Sequence, residues 1–511
     1  MCRAHIVAQY PKDTSFPVYC RTCWYSDDWD PTSCGRDFDF LRPFFEQFKE
    51  LQNVVPRLNL QVDNCVNCDY ANYLANSKDC YLVVAGPNNE ECMYSYRLLF
   101  SKNCIDTTLI NKSEYCYESI ELLESSGVLF SQDIASSVNI NFCYDLRGCN
   151  DCFMSSNLRN ASYVFRNERL SKEEYQARMK GIDTGSYEKL FGYLREYNEL
   201  KERSLRKFSA QKNSVDSTGH IITNAKNCKN CFGVADIEDC RYIFSINNAR
   251  DVMDANHGSI SLERVYETST AGVNVNNVKF SLDVWPDGQF VQYSDSCRIG
   301  VSNIFGSICL RKKQYCILNK QYTKEGYQAL FPKIIEHMHR TGEYGEFFPS
   351  ALSPFAYNET AAQEYFPLTK NEAESRGLRW RGQGEKNYKV TLQPEDLPDH
   401  IKDVHDSITN EIIGCAHGST GSPQAQRCNH GCSTAFRIIP KELEFYRRHN
   451  LALPRLCPNC RHHRRLVERN PPRLWHRQCM KPGCSNEFET SYAPGRSEII
   501  YCESCYNAEV V

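Results

Sequence analysis

The chain has 511 residues, 41% hydrophobic and 24% charged, with a net charge of −3. That length gives a few domains at roughly 100–200 residues each, and the composition excludes whole-chain disorder, a collagen-like chain and a polybasic tail. No apolar run approaches the roughly 20 residues needed to cross a bilayer, and the opening MCRAHIVAQYPKD lacks the layout of a secretory signal, so no membrane partner and a cytoplasmic address are expected.

The 28 cysteines fall short of the roughly 8–10% that marks a small disulfide scaffold. In a reducing compartment, grouped cysteines point to metal and isolated ones to burial. The first group, in residues 1–48, is Cys2, Cys20 and Cys23. Its 18-residue interval Cys2–Cys20 recurs at Cys484–Cys502, and QYPKDTSFPVYCRTCW (9–24) matches SYAPGRSEIIYCESCY (491–506). The segment is therefore expected to be a zinc ribbon lacking one ligand, with Met1 an internal start or the reading frame truncated. Failing that, His5 or Cys34 would complete the set. The acidic-aromatic WYSDDWDP (24–31) is expected to pack and cap rather than bind.

From Cys68 a 12-residue repeat runs to Tyr175, within a first array at 60–170. Column one reads Cys68, Cys80, Cys92, Cys104, Cys116, Val128, Ile140, Cys152, Val164. Column seven is led by Leu74, Gly86, Leu98 and Ile110, and column ten is small or polar, with Ser77, Asn89, Ser101 and Ser113. Twelve extended residues at about 3.3 Å each span about 40 Å, enough for two short strands and two turns in a flattened coil. A repeat this short must stack on its neighbours to close a core, and free cysteine suits an inward column better than a disulfide ladder would.

A helical insert is expected at 171–215, with Tyr187, Leu190, Phe191, Leu194 and Tyr197 at helical spacing. A second array follows at 220–327. It repeats the 12-residue spacing at Cys228/Cys240 and Cys297/Cys309 and is degenerate between. Its exit, 309–327, aligns without a gap on 157–175, sharing Tyr163/Tyr315, Asn167/Asn319 and Tyr175/Tyr327. Residues 328–425 are expected to form a helix and an irregular connector.

Two further ribbons are expected at 426–478 and 479–511. Cys428-x3-Cys432 with Cys457-x2-Cys460, and Cys479-x4-Cys484 with Cys502-x2-Cys505, have the knuckle spacing that brings four thiolates onto one zinc ion. Cys415 rivals Cys428 in the first quartet. Two structural zinc sites are expected, with a third incomplete at the amino terminus. From 428 to 478, eleven Arg or Lys face three Glu, with Tyr446 and Trp475 interleaved. That block could grip nucleic acid, or its Arg461, Arg464 and Arg465 could balance a tetrathiolate centre.

The stretches VYCRTCWYSDDWDPTSCGRDFDFLRPFFEQF (18–48), FRIIPKELEFYRRHNLALPRLCPNCRHHRR (436–465) and LWHRQCMKPGCSNEFETSYAPGRSEIIYCESCY (474–506) resemble zinc-ribbon, Cys-rich repeat proteins of candidate-phyla bacteria of the Parcubacteria type. The resemblance covers nearly the whole chain. It implies paired ribbons at the amino end, and often again at the carboxyl end, around Cys-rich repeats. This chain departs by lacking the first ribbon of the amino-terminal pair. The resemblance strengthens the metal sites and names no activity; a CoA-transferase label on some relatives finds no support in these residues.

The fold class expected is mainly β: tandem β-solenoid-like arrays of 12-residue repeats with helical inserts, flanked by zinc ribbons. The function expected is a non-catalytic, zinc-stabilised scaffold or adaptor for a protein partner, with nucleic-acid binding through 428–478 as the alternative. A β-helix enzyme, carbohydrate-active or acyl-transferring, ranks lower, because the frame is taken to fix no acidic pair in successive coils and offers no hexapeptide pattern.

Overall fold

The structure, a computed structural model, describes residues 2, 4–258, 260–382, 384, 388–417 and 431–510. It is mainly β, with a parallel β-solenoid in two arrays and ten α-helices among the described residues. The backbone explains the repeat. From residue 64 to residue 166 every third residue is left-handed, with φ between 47° and 66°. Asparagine and aspartate, which tolerate this conformation, recur there, as at Asn64, Asn67, Asn76 and Asp79.

A left-handed residue turns the chain, so twelve residues close into four three-residue sides rather than the flattened coil of two strands and two turns. Four columns therefore point inward. The three visible in the repeat do so, and a fourth runs through Ala71, Val83, Ser95, Thr107, Ser119 and Ser131, all buried or nearly so. In column seven, Gly86 replaces leucine because its φ of 138° brings the Leu98 carbonyl into the space a Cβ would fill.

The small polar columns have a specific task. Ser119 Oγ donates to Tyr117 O at 2.8 Å and accepts the Ser131 amide from the next coil at 3.2 Å. Ser125 and Ser131 repeat the arrangement, Ser125 toward Ser137 N at 3.3 Å and Ser131 toward Cys143 N at 3.0 Å. Each serine thus satisfies a corner N–H that a buried coil would otherwise orphan. Column-one thiols adopt the same pose, Cys104 Sγ lying 3.3 Å from Lys102 O and Cys116 Sγ 3.3 Å from Glu114 O.

In the second array the apparent degeneracy is a change of coil length. Leu262 pairs with Val275, and Val278 with Val291, thirteen residues on. The extra residue enters at one corner, where left-handed positions jump from 257 to 261, 270 to 274 and 283 to 287. Cys228 and Cys240 keep the 12-residue register, but Cys297 does not stack on Cys309. Arg298 bridges to Arg311 and donates its amide to Leu310 O, which places Leu310 over Cys297 and Cys309 at a left-handed corner.

Both arrays end alike. Arg166–Asn167 and Leu318–Asn319 are successive left-handed residues in two-residue hairpin turns, as a type I′ turn requires. Asn167 Oδ1 accepts Ser156 N at 2.9 Å, and Asn319 Oδ1 accepts Ile308 N at 2.7 Å. Helices capped by Ser171 and Thr323 follow. Helix Tyr187–Arg203 buries Leu190 and Tyr197 and leaves Phe191 exposed.

The arrays lie side by side and antiparallel. Gln61 at the start of the first reaches Asp283 near the end of the second at 2.5 Å, and Arg97 sits 5.5 Å from the Phe244 ring midway. Residues 16–58 cap the second array's exit. Trp24 is buried there under Arg311, Phe44 stands 5.2 Å from Phe305, and Asp30 caps a turn and pairs with Lys313 at 2.6 Å. The acidic-aromatic stretch is thus a packing and capping device.

The duplicated asparagine yields a test. Asn319→Ala removes the acceptor of a buried amide and puts a Cβ-bearing residue with no local hydrogen bond at a left-handed φ. Urea unfolding should show a loss of about 2 kcal/mol, whereas Asn64→Ala, at an exposed corner, should cost less than about 1 kcal/mol.

Candidate metal centres

Three groups of thiols converge: Cys415, Cys432, Cys457 and Cys460; Cys479, Cys484, Cys502 and Cys505; and Cys2, Cys20 and Cys23, each with sulfurs within 4.8 Å of one another. The Cys-x2-Cys knuckles share one local design. Cys20 and Cys457 are the N-cap residues of helices Arg21–Tyr25 and Pro458–Val467, and Cys502 immediately precedes helix Glu503–Val510. The second cysteine of each knuckle lies in the first helical turn. Both sulfurs therefore sit where free backbone N–H groups and the positive end of the helix dipole favour thiolate.

Amide donors aim at the sulfurs as well. Cys457 N reaches Cys415 Sγ at 3.2 Å, Thr434 N reaches Cys432 Sγ at 3.3 Å, and Cys502 N reaches Cys479 Sγ at 3.3 Å. Sulfur separations are 3.8 Å for Cys415–Cys460, 3.9 Å for Cys432–Cys457, 3.9 Å for Cys484–Cys502 and 3.7 Å for Cys2–Cys20. A tetrahedral ion with metal–sulfur bonds of about 2.3 Å needs sulfurs about 3.8 Å apart, while a disulfide needs about 2.05 Å. The donor set and its spacing fit a divalent metal ion.

Within the first quartet, hydrogen bonds with Cys415, Cys432 and Cys460 push the Cys457 thiol down, and bonds with Cys415, Cys432 and Cys457 push Cys460 up, so the four share protons as a unit. At Cys502 burial raises the thiol, but hydrogen bonds led by Asn486 outweigh it and leave it near 6.

Apart from the alternative ligand Cys34, every thiol expected as a ligand and described falls in one of these groups. Cys428 lies outside the described residues, and the fourth sulfur beside Cys432, Cys457 and Cys460 belongs to Cys415, buried against the same core. At the amino terminus the group holds three sulfurs among the described residues. Cys34 lies instead 4.0 Å from Val54 O, and His5 is exposed outside the group.

The centres occupy defined places. The amino-terminal group adjoins the start of the first array, where Arg21 meets Asp63 at 2.5 Å. The last quartet sits where the arrays join, its ribbon held by strands Leu205–Lys207 and Ile499–Tyr501 and by Thr490 Oγ1 donating to Phe208 O at 2.6 Å. The 415–460 centre lies on the flank of the first array.

The basic block proves to be the flank's fastening. Arg461 and Arg465 are buried and meet Asp106 of the array at 2.5 and 3.1 Å, while Arg464 meets Glu118 at 2.8 Å. Glu442 joins at 3.3 Å from Arg461, hydrogen-bonded by Tyr94 at 3.0 Å and by the buried Tyr446 at 2.7 Å. These three arginines are thus matched by three carboxylates rather than by the thiolates. Lys441, Arg447, Arg448 and Arg469 also pair within the chain, with Asp79, Asp406, Glu444 and Glu121.

The register also corrects the expectation about acids. Asp106 and Glu118 occupy one corner column on successive coils, and Glu121, Asp133 and Asp145 occupy another on three. Each pairs with arginine: Glu121 with Arg469 at 3.7 Å, Asp133 with Arg147 at 2.5 Å and Asp145 with Arg159 at 3.1 Å.

Arg461→Met, which leaves Glu442 without a cation and Asp106 with Arg465 alone, should cost about 3–5 kcal/mol in urea unfolding, whereas Arg448→Ala at an exposed pair should cost less than about 1 kcal/mol. No protein-family profile and no curated protein matches the chain. Among solved structures, a chain assigned as an acetyltransferase from Desulfovibrio desulfuricans G20 is 10% identical over 55% of this chain and 81% of its own, and at a TM-score of 0.11 it carries no argument about fold or function.

Proposed function

We propose that this protein is a zinc-binding, non-catalytic scaffold or adaptor of the reducing cytoplasm, whose ribbons brace two antiparallel solenoid arrays that present surfaces to a protein partner. The sulfur separations of 3.8–3.9 Å within the two quartets carry the reading. Thiolate favours zinc over hard cations, and four protein sulfurs leave no position for water or substrate, so such ions support structure. The described cysteines are free thiols, which fits a reducing compartment. No helix among the described residues is long and apolar enough to cross a membrane.

Metal analysis of the purified, reduced protein should give two firmly held zinc ions, with a third weakly held or absent at Cys2, Cys20 and Cys23. Cys415→Ser should remove one tight ion and lower the thermal midpoint, and Cys34→Ser should change neither. Zinc-free protein that is fully folded would overturn the reading.

The alternative, nucleic-acid binding through 428–478, is left few free cations by the pairing of seven of its eleven basic residues with carboxylates of this chain. RNA and DNA titrations against salt should give no binding at low salt, or a log–log slope near zero; a slope of several units would favour the alternative.

A further inference from the structure

Between the arrays opens a cleft of about 3300 Å³, walled by both and closed at one end by the last ribbon. At that end stands Arg206, in the strand Leu205–Lys207 that pairs with Ile499–Tyr501. Its side chain is only 7% exposed. One terminal nitrogen, Nη2, donates to Lys201 O at 2.9 Å, and the guanidinium lies 3.4 Å from the Tyr144 ring centre. The other, Nη1, is buried without a hydrogen-bond partner, and Arg206 makes no ion pair among the described residues.

Buried arginines elsewhere are matched. Arg57 meets Asp295 at 2.9 Å, Arg298 meets Asp283, and Arg461 and Arg465 share Asp106. Arg455 also lacks a carboxylate and leaves its Nη1 without a partner, its Nη2 bonding the carbonyls of Leu397 and Pro398, but it does not line the cleft. Around Arg206 the acids are committed. Asp133 pairs with Arg147, Asp145 with Arg147 and Arg159, and Glu498 with Arg496. Four guanidinium groups (Arg147, Arg159, Arg206, Arg496) thus share three carboxylates, all seven in the lining of the cleft, where Lys201 and Arg469 pair with Glu468 and Glu121, and Glu202 is a further acid. A buried unmatched cation is costly, and a planar fork with a spare N–H is suited to a carboxylate or phosphate.

We propose that this end of the inter-array cleft is an oxyanion-binding site, in which Arg206 receives a carboxylate or phosphate group of a ligand lying between the arrays. The site requires neither zinc nor a protein partner.

Titration calorimetry on the full, metal-loaded chain tests it, with inorganic phosphate in one arm and glucuronate in the other at matched ionic strength. At least one should bind with a Kd under about 1 mM, and the arm that responds separates phosphate from carboxylate. R206M should weaken binding by about tenfold or more, as expected for loss of a hydrogen bond to a charged group. R206K should retain part of the affinity, and R97M, at mid-cleft, all of it. Should R206M not fold, R206K against R97M decides. No saturable binding of either anion, or equal affinity in R206K and the parent, would overturn the assignment.

Discussion

The left-handed residue at every third position is the constraint on which the rest depends. It turns the backbone four times in twelve residues, so each coil has four sides with one inward residue apiece, and the interior is too narrow for anything but single-file columns. Each such corner costs conformational energy for most side chains, on the order of 1–2 kcal/mol, and the stacking of coils must repay it. The inward residues show how. Two opposite columns supply apolar contact, and the columns between them supply hydroxyls that take up amides left over at the corners. Cysteine and serine both fit this interior, each reaching the carbonyl two residues back, and Cys143 and Cys149 stand in the serine columns themselves.

The same geometry fixes what the outside carries. A corner column repeats every coil, so residues twelve apart meet whether they are helpful or not. Phe130 and Phe142 stack at 4.8 Å, and Asp106 and Glu118 would repel one another if left bare. The ribbon segment 431–467 answers both on one flank, laying Phe445 and Tyr446 on Tyr117 and driving Arg461, Arg464 and Arg465 against the acids. A segment so small and so charged has little core of its own, which is why a bound ion at its base suits it.

Much of this was legible in the sequence. The 12-residue period announced a solenoid because cysteine, leucine and serine hold their columns, and the knuckles announced metal groups because their spacing is set by one helical turn. What stayed hidden depends on quantities a sequence does not display. Backbone φ decided that the coil has four sides and that a fourth column faces inward. An inserted residue at one corner shifted the second array to thirteen, so Cys297 and Cys309 share a spacing without sharing a column. The cationic block looked like a surface because its partners, Asp106 and Glu118, lie more than three hundred residues away. The acidic columns went unseen for the same reason that the arginine pairing did: each acid looks ordinary until the coil register stacks it.

One element, cysteine, thus meets two fates, and geometry alone sorts them. In a column, successive thiols lie about 4.8 Å apart in a line, with neighbours above and below and none around, so they cannot surround a cation. Burial then holds Cys92, Cys104 and Cys297 well above the ordinary thiol range and pushes Cys143 and Cys316 up to about 12, which keeps them protonated and poor ligands. Where two neighbouring columns both carry cysteine, as at Cys149 and Cys152, the shared hydrogen bond pushes Cys149 down to about 6 and Cys152 up, but two sulfurs are still half a coordination shell. Only at the knuckles do helix N-termini and a second pair of thiols close the tetrahedron. An ion offered to this chain therefore has many sulfurs to meet and few places to stay.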